Sequence, residues 1–210
     1  MLDDGTKKIG AFFSETQLWL GGKIIPILLL AFLLSLVLII GHLWNLSHQL
    51  TKASAIEGAA RSIHALQAFR TLYTAEVVNV AQNHGIRVTH DYHNVPGAIP
   101  LPATLSLLLA EKLGESQSDL EARLYSKFPF PWRQLTGGLQ DEFGKEAWAS
   151  LNKNPKIPFY RFTDDLGRWS LRYAVADVMR PSCVNCHNLH EDSPKHDWAV
   201  GDVRGVLEVI

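Results

Sequence analysis

The chain has 210 residues, in which 20 lysines and arginines nearly balance 21 aspartates and glutamates. This length allows one domain with a core of its own, together with accessory segments. The near-balance of charge excludes the overall basic field with which proteins attract nucleic acid, so no nucleic-acid partner is expected. The two cysteines are too few for a disulfide scaffold, and their spacing of three positions requires another explanation.

The N-terminal part of the chain is strongly apolar. Residues 1–23 form a short polar and amphipathic lead, and residues 24–44 contain no aspartate, glutamate, lysine or arginine. About 20 apolar residues are enough for a helix to cross the hydrocarbon core of a bilayer. Pro26 stands where such a helix would begin, and Trp19 and Trp44 flank the run as interfacial aromatic residues do. The pattern predicts a transmembrane helix over residues 24–44.

A cleaved signal peptide is the alternative, with Ala53-Ser54-Ala55 as the cleavage site. The apolar run is longer than the ~7–15 residues of a signal peptide's apolar region, and the site lies well beyond its end, so an uncleaved anchor is favoured. Lysines precede the span closely, whereas Lys52 and Arg61 follow at more distance. The positive-inside rule then keeps residues 1–23 cytoplasmic. We expect a single-pass protein of the inner (cytoplasmic) membrane with its domain on the periplasmic side.

Residues 45–85 are predicted to form a long juxtamembrane helix that ends at His84-Gly85. Apolar residues recur at intervals of seven on two adjacent registers, with Arg70 as an interruption: Ile56, Ile63 and Val77 on one, and Ala59, Leu66, Tyr73 and Val80 on the other. Such a stripe is suited to a partner helix. It predicts a homodimer through residues 45–85, or membership of a larger membrane protein complex. The alternative is a helix that packs on its own domain.

Residues 86–210 are predicted to form an α+β domain. Helical patterns come first and alternation with a period of two comes last, which is typical of helices followed by an antiparallel sheet. Residues 164–167 read as the turn between the first two strands. The predicted elements are helices over 105–113 and 141–151, and strands over 157–162, 169–176 and 203–209.

The connection between the last two strands contains the motif Cys183-Val184-Asn185-Cys186-His187. In c-type haem attachment, two thiols at this spacing add to the two vinyl groups of the porphyrin, and the adjacent histidine ligates the iron. Attachment takes place outside the cytoplasm, in agreement with the predicted topology. We therefore predict one covalent haem c, held by Cys183 and Cys186, with His187 as the proximal iron ligand.

The two cysteines have three alternative interpretations. A thioredoxin-like redox pair would need a βαβ context, which the flanking sequence does not offer. A zinc site built from Cys183, Cys186, His190 and His196 is possible by ligand type. A disulfide is sterically awkward at this separation in a loop. Haem c is the reading that best accounts for the motif and the anchor together.

The sixth iron ligand is less well determined by the sequence. A thiolate is excluded because there is no third cysteine. His90 is the first prediction, with Asp91 or Tyr92 available to orient its ring. Met179 is the second, and it would give a His/Met site of raised reduction potential. An open or water-bound iron is the third.

Three basic residues are candidates for pairing with the haem propionates. They are Arg172, Arg204 and Lys195, all near the motif or on the strands beside it. Charges at strand edges are more often simply solvated, and for each residue that remains the simpler interpretation.

A family resemblance emerges from these residues and their neighbours. From about Tyr73 onward, the chain resembles the haem-c-binding, PAS-like periplasmic sensor domains that precede nucleotide cyclases, histidine kinases and chemoreceptors. The resemblance implies a PAS-like fold around one haem and a role in sensing redox state or a small gas. Some members ligate the iron with a cysteine thiolate, where this chain has Val77-Val78. The matching segments are 99–104, 125–126, 128–131, 171–174, Met179, 183–188, 193–195 and 197–209.

Two functions follow from this reading. One is a membrane-anchored sensor of redox state or a small gas, which the resemblance and the long helix favour. The other is an electron-transfer cytochrome subunit of a respiratory or photosynthetic membrane complex, which the end of the chain at Ile210, without an output domain, favours. We take the sensor as the prediction. No catalytic triad, phosphate-binding loop or pair of acids is apparent, so no enzymatic activity is expected.

Overall fold

A computed structural model describes residues 3–117, 120–165 and 168–210, with side chains from residue 22 onward except at 116, 117, 165 and 168. The chain divides into two compact units, Met1–Ala53 and Ser54–Ile210. The helices are α1 (Asp3–Tyr73), continued by a π-helical turn (Thr74–Val78) and α2 (Asn79–Asn83), then α3 (Pro102–Gln117), α4 (Gln134–Gly137), α5 (Glu142–Lys153) and α6 (Pro181–Leu189). The strands are β1 (Val88–Thr89), β2 (Ile99–Pro100), β3 (Ala122–Tyr125), β4 (Phe159–Asp165), β5 (Arg168–Val178) and β6 (Val203–Val209).

The first unit is helical. Among the described residues, one helix is long and apolar enough to cross a membrane, and its most apolar stretch is not buried. The helix begins well before the apolar run, so Pro26 lies inside it rather than in its first turn, because the polar lead is also helical. The side chain of Trp19 lies outside the described residues. Length and composition thus fit either a single-pass anchor or a signal sequence.

The second unit is built on a four-stranded antiparallel sheet in the order β3-β6-β5-β4. Strand β6 has the predicted bounds, whereas β5 is longer at both ends and β4 begins two residues later than expected. Part of the predicted turn, Leu166 and Gly167, lies outside the described residues. Strand β3 was not predicted, since its four residues are too few to show an alternating pattern and pair with the distant β6. The fold class is α+β, as predicted.

Helices cover both faces of this sheet. Tyr173, Leu207 and Val209 pack under α1 and α3 on one face, and Ala174 and Val206 pack against α5 on the other. The alternation of adjacent residues between faces is the geometry of a strand buried on both sides. Each aliphatic side chain buried in these two clusters contributes roughly 1.5–3 kcal/mol to folding.

The apolar stripe of α1 is used within the chain itself. Ile63 and Leu66 are 1% and 2% exposed, and they pack on the sheet. From the π-helical turn onward the stripe fails, since Val77 and Val80 are 43% and 50% exposed. The alternative of a helix packed on its own domain therefore accounts for the first part of the stripe. Dimerisation through residues 45–85 stays a prediction.

Candidate functional site

Helix α6 presents the Cys-x-x-Cys-His motif between β5 and β6. Pro181 occupies its first turn, where the absent N–H leaves no bond unmade. The N–H of Met179 donates to the carbonyl of Asp202, and Gly201 donates back to the carbonyl of Met179, both at 2.8 Å. Gly201 has a φ of 96°, a conformation that favours glycine. The entry to α6 is thereby fixed against the start of β6.

The end of α6 is also fixed. The side chain of Asn188 donates to the carbonyl of Trp198 and accepts from its N–H, both at 2.9 Å. This reciprocal pair closes the loop that leads to β6. The motif is therefore held at both ends, while Cys183, Cys186 and His187 face a cavity.

A cavity of about 300 Å³ lies beside the motif, with Cys183, Cys186 and His187 in its wall. Its apolar wall includes Val78, Val88, Leu101, Leu124, Phe130 and Trp132. A larger open groove of about 990 Å³ runs along α3 and β3, but no cysteine, histidine or methionine is among the described residues that line it. The smaller cavity therefore contains the side chains that can bind a cofactor, although the groove is larger.

His187 is half-buried, and its ring lies 5.3 Å from that of Phe130. Burial lowers the pKa of His187 to about 4, and the positive charges of Arg204 and His190 act in the same direction against Asp177. The imidazole is therefore neutral near pH 7, the form that ligates a metal. Arg204 Nε donates to His187 Nδ1 at 3.2 Å, so Nδ1 is engaged and Nε2 is the other ring nitrogen.

Both cysteines are free thiols. Local desolvation raises the pKa of Cys186, and the neighbouring Cys183 adds to the effect. The zinc alternative finds no support, because no group of three or more metal-binding side chains occurs within the described residues. His196, one of its four candidates, instead hydrogen-bonds the carbonyl of Asn188 through Nδ1 at 3.0 Å.

A model of the family described as Tll0287-like matches residues 48–210. The chain belongs to the Tll0287-like family. The match covers every residue named above in the cavity wall. A comparison with curated proteins gives no match. Among solved structures, the crystal structure of the cyanobacterial heme-protein Tll0287 is 14% identical, with a TM-score of 0.47 over 77% of this chain and 93% of that chain.

The two predicted sixth ligands occupy different places in this Tll0287-like chain. Met179 is 2% exposed and lines the cavity together with His187. His90 is exposed and is not among the lining residues. Its ring stacks on Trp132, with 3.9 Å between ring centroids and 4° between planes. Ligation by His90 would require the ring to leave this stack.

The three predicted propionate partners also separate. Arg204 lines the cavity. Arg172 does not, because it pairs with Glu208 at 2.5 Å and Asp141 at 2.7 Å on the α5 face of the sheet. Lys195 pairs with Asp197 at 2.9 Å and lies 4.3 Å from the centre of the Trp198 ring. Two of the three candidates thus have other partners in this Tll0287-like structure.

Three further arginines of the cavity wall were missed, namely Arg70, Arg133 and Arg180. The sequence contained a signal for Arg70, because this residue interrupts the apolar stripe of α1. A charged side chain on a buried helix face needs a partner within the protein. Arg133 ends a short 3-10 helix and Arg180 directly precedes α6, and neither belongs to a pattern in the sequence.

The end of the long helix forms another part of the cavity wall. Thr74 and Val78, from the π-helical turn, line the cavity with Asn79 and Gln82 of α2. Single π-helical turns inside α-helices occur frequently at functional sites. In this Tll0287-like chain the turn presents Thr74 and an aliphatic side chain to the cavity, and α2 adds two amides.

Proposed function

We propose that this chain is a membrane-anchored c-type cytochrome domain that senses redox state or a small gas on the periplasmic side of the inner membrane. The observation that supports it is the placement of Cys183, Cys186 and a neutral His187 in the wall of one cavity. The similar solved protein is named a heme-protein, which agrees with this proposal.

The residues present fit a haem c. Each thiol would add to one vinyl group, with the sulfur bonding one carbon and the thiol hydrogen going to the other. The rings of Phe130 and Trp132 offer an apolar wall, and the arginines offer positive charge toward carboxylates. When bound, the group supplies an iron that exchanges one electron and can bind small ligands. The chain's own residues hold it, exclude water and orient His187.

A sensing role is supported by two contacts between α1 and the segment that enters α6. Arg70 Nη1 donates to Asp177 Oδ2 at 2.8 Å, and the guanidinium of Arg180 donates to the hydroxyl of Thr71. Asp177 and Arg180 flank Met179 in the sequence. A displacement of α6 therefore acts directly on the long helix, which is the physical coupling that a sensor requires.

Electron transfer in a respiratory or photosynthetic complex remains the second candidate because of an aromatic series beside the motif. The ring of His187 lies 5.3 Å from Phe130, Phe130 lies 4.6 Å from Trp132, and Trp132 lies 3.9 Å from the exposed His90. The series leads from the proposed iron ligand to the surface. For either function we propose a second copy of the chain, or a larger membrane complex, as partner, and no catalytic reaction.

The test of haem c is covalent attachment. The full chain, exported in cells that mature c-type cytochromes, should retain haem through acid–acetone extraction and give a c-type pyridine haemochrome spectrum. The variant with Cys183→Ala and Cys186→Ala should lose all extraction-resistant haem, whereas His196→Ala, outside the cavity wall, should keep it. Freely extracted haem in the wild type, or stoichiometric zinc, would refute the proposal.

The two functions differ in what happens to the long helix. In a sensor, amide hydrogen exchange across residues 56–83 should differ between the oxidised and reduced protein. In an electron carrier the exchange should be the same in both states, because a carrier keeps its structure on reduction. Equal exchange would favour the second candidate.

A further inference from the structure

The wall of the cavity has an excess of positive charge. Four arginines line it, and Asp177 is the single carboxylate among its described lining residues. That carboxylate forms an ion pair with Arg70. The other three arginines therefore face the cavity without an acidic partner in its wall, and an anion bound there would be paired with them.

Arg70 is the most buried of these residues, at 5% exposure. Only its Nη1 is used, in the bond to Asp177, while Nε and Nη2 are buried and find no acceptor. A buried donor without an acceptor costs about 1–3 kcal/mol, and more when it is charged. The guanidinium thus has two N–H groups that suit an incoming carboxylate.

Arg133 is a second lining arginine with a buried N–H group that lacks an acceptor. Its Nη2 donates to the carbonyl of Leu124 at 2.8 Å, but its Nε is buried without an acceptor. Burial lowers the pKa of Arg133, as expected for a guanidinium that lacks a carboxylate.

Arg204 makes a hydrogen bond to His187 that would be lost if His187 ligated the iron of a haem. Its Nε donates to His187 Nδ1, and its Nη1 donates to the hydroxyl of Ser126 at 2.8 Å. A neutral His187 that uses Nε2 as a metal ligand has its hydrogen on Nδ1. Two N–H groups would then face each other, so Arg204 has to turn its Nε to a new acceptor.

We propose that Arg70, Arg133 and Arg204 form the binding site for the two propionate carboxylates of the haem. The inference rests on the haem c binding proposed above. It assigns an acceptor to the buried N–H groups of Arg70 and Arg133, and to the Nε of Arg204 once His187 binds iron. Bidentate pairing of a guanidinium with a carboxylate is the strongest arrangement open to these groups.

The experiment uses ligand charge as a probe. The full chain with Cys183→Ala and Cys186→Ala is purified in detergent and titrated with iron protoporphyrin IX and, separately, with its dimethyl ester, which has no carboxylates. We expect the diacid to bind at least about tenfold more tightly than the ester, the value of one hydrogen bond to a charged group. In Arg70→Gln, Arg133→Gln and Arg204→Gln, made singly in that background, the preference should fall about tenfold in each variant.

Arg161→Gln is the matched control, because Arg161 is an exposed arginine paired with Glu146 and lies outside the cavity wall. It should leave the preference for the diacid unchanged. If Arg70→Gln fails to fold because Asp177 loses its partner, Arg133→Gln and Arg204→Gln decide the matter. An equal preference for diacid and ester, or a preference that no arginine variant alters, would overturn the inference. Extraction-resistant haem in the wild type shows separately whether the proposed function holds.

Discussion

The sixth iron ligand depends on which side chain lies in the cavity. Met179 lines it, whereas His90 is stacked on Trp132 outside the lining residues. We therefore reverse the order suggested by the sequence and expect Met179 to be the ligand. Met179→Ala should abolish the red-region sulfur-to-iron band and lower the reduction potential, while His90→Ala should leave the spectrum unchanged.

A His90→Ala protein that becomes high-spin would contradict this expectation and return His90 to first place. A wild-type protein that is already high-spin and binds carbon monoxide at once has no sixth protein ligand. That result would strengthen a gas-sensing role over electron transfer.

The neutral state of His187 predicts a pH dependence for the haem-free chain. The pKa of His187 is about 4 in the fold, against 6.5 for a free histidine. Between these values the unfolded chain binds more protons than the folded one, so stability falls as pH is lowered from 6.5 toward 4. The loss should be about 1–3 kcal/mol in the free energy of unfolding, measured by urea titration at several pH values. In His187→Asn this part of the slope should vanish; an unchanged slope would show that other groups cause it.

At the residue scale, the sequence identifies the groups proposed to bond a haem but not the other residues of the cavity wall. Cys183, Cys186 and His187 belong to one local motif whose spacing has a chemical meaning. Arg70 and Arg133 meet at the cavity only through folding, from positions 63 residues apart. The ion pair between Arg172 and Glu208 likewise depends on the register of β5 and β6, which no local pattern predicts.

At the scale of elements, the sheet contains a buried ionic network. Arg172 bonds Glu208, which is fully buried, and Asp141, which also accepts from the N–H of Gly144 as the N-cap of α5. The guanidinium lies 4.1 Å from the centre of the Phe143 ring. This network connects β5 and β6 to the start of α5.

Removal of Arg172 should therefore be costly. Arg172→Ala leaves the carboxylate of Glu208 buried without its partner, and we expect a loss of about 3–5 kcal/mol in the free energy of unfolding. Arg161→Ala, which breaks an exposed pair, should cost about 1 kcal/mol or less. Denaturant unfolding measures both losses directly. A loss for Arg172→Ala as small as the one expected for Arg161→Ala would mean that the network does not stabilise the fold.

The elements themselves were predicted unevenly. Strand β6 was found with its bounds because seven residues between clear turn signals show the pattern well. The apolar stripe of α1 was followed too far, since a period of seven assumes an unbroken α-helix. The π-helical turn at Thr74–Val78 shifts the positions in the sequence that face the domain, and nothing in its five residues indicates such a turn.

At the scale of the whole molecule, the two units predict two separable properties. We expect residues 24–44 to remain in the mature protein, which should be recovered in the membrane fraction. Replacing Met1–Ala53 by a cleavable export signal should release Ser54–Ile210 as a water-soluble protein that keeps covalent haem, since that unit contains the whole cavity wall. N-terminal sequencing of the native protein that begins at Ile56 would show instead that a signal peptidase removes the apolar helix.

The π-helical turn has a consequence for how this chain tolerates changes of length. The turn uses one residue more than an α-helical turn. Deleting a single residue from Thr74–Val78 would restore a regular helix, and the residues beyond it would keep nearly the same orientation, because the π-helical turn already absorbs the extra residue. Ile63 and Leu66 would keep their places on the sheet, and Asn79 and Gln82 would still line the cavity. A one-codon deletion at this point should thus be tolerated, whereas a deletion in a regular part of the helix would rotate the residues beyond it by about 100°.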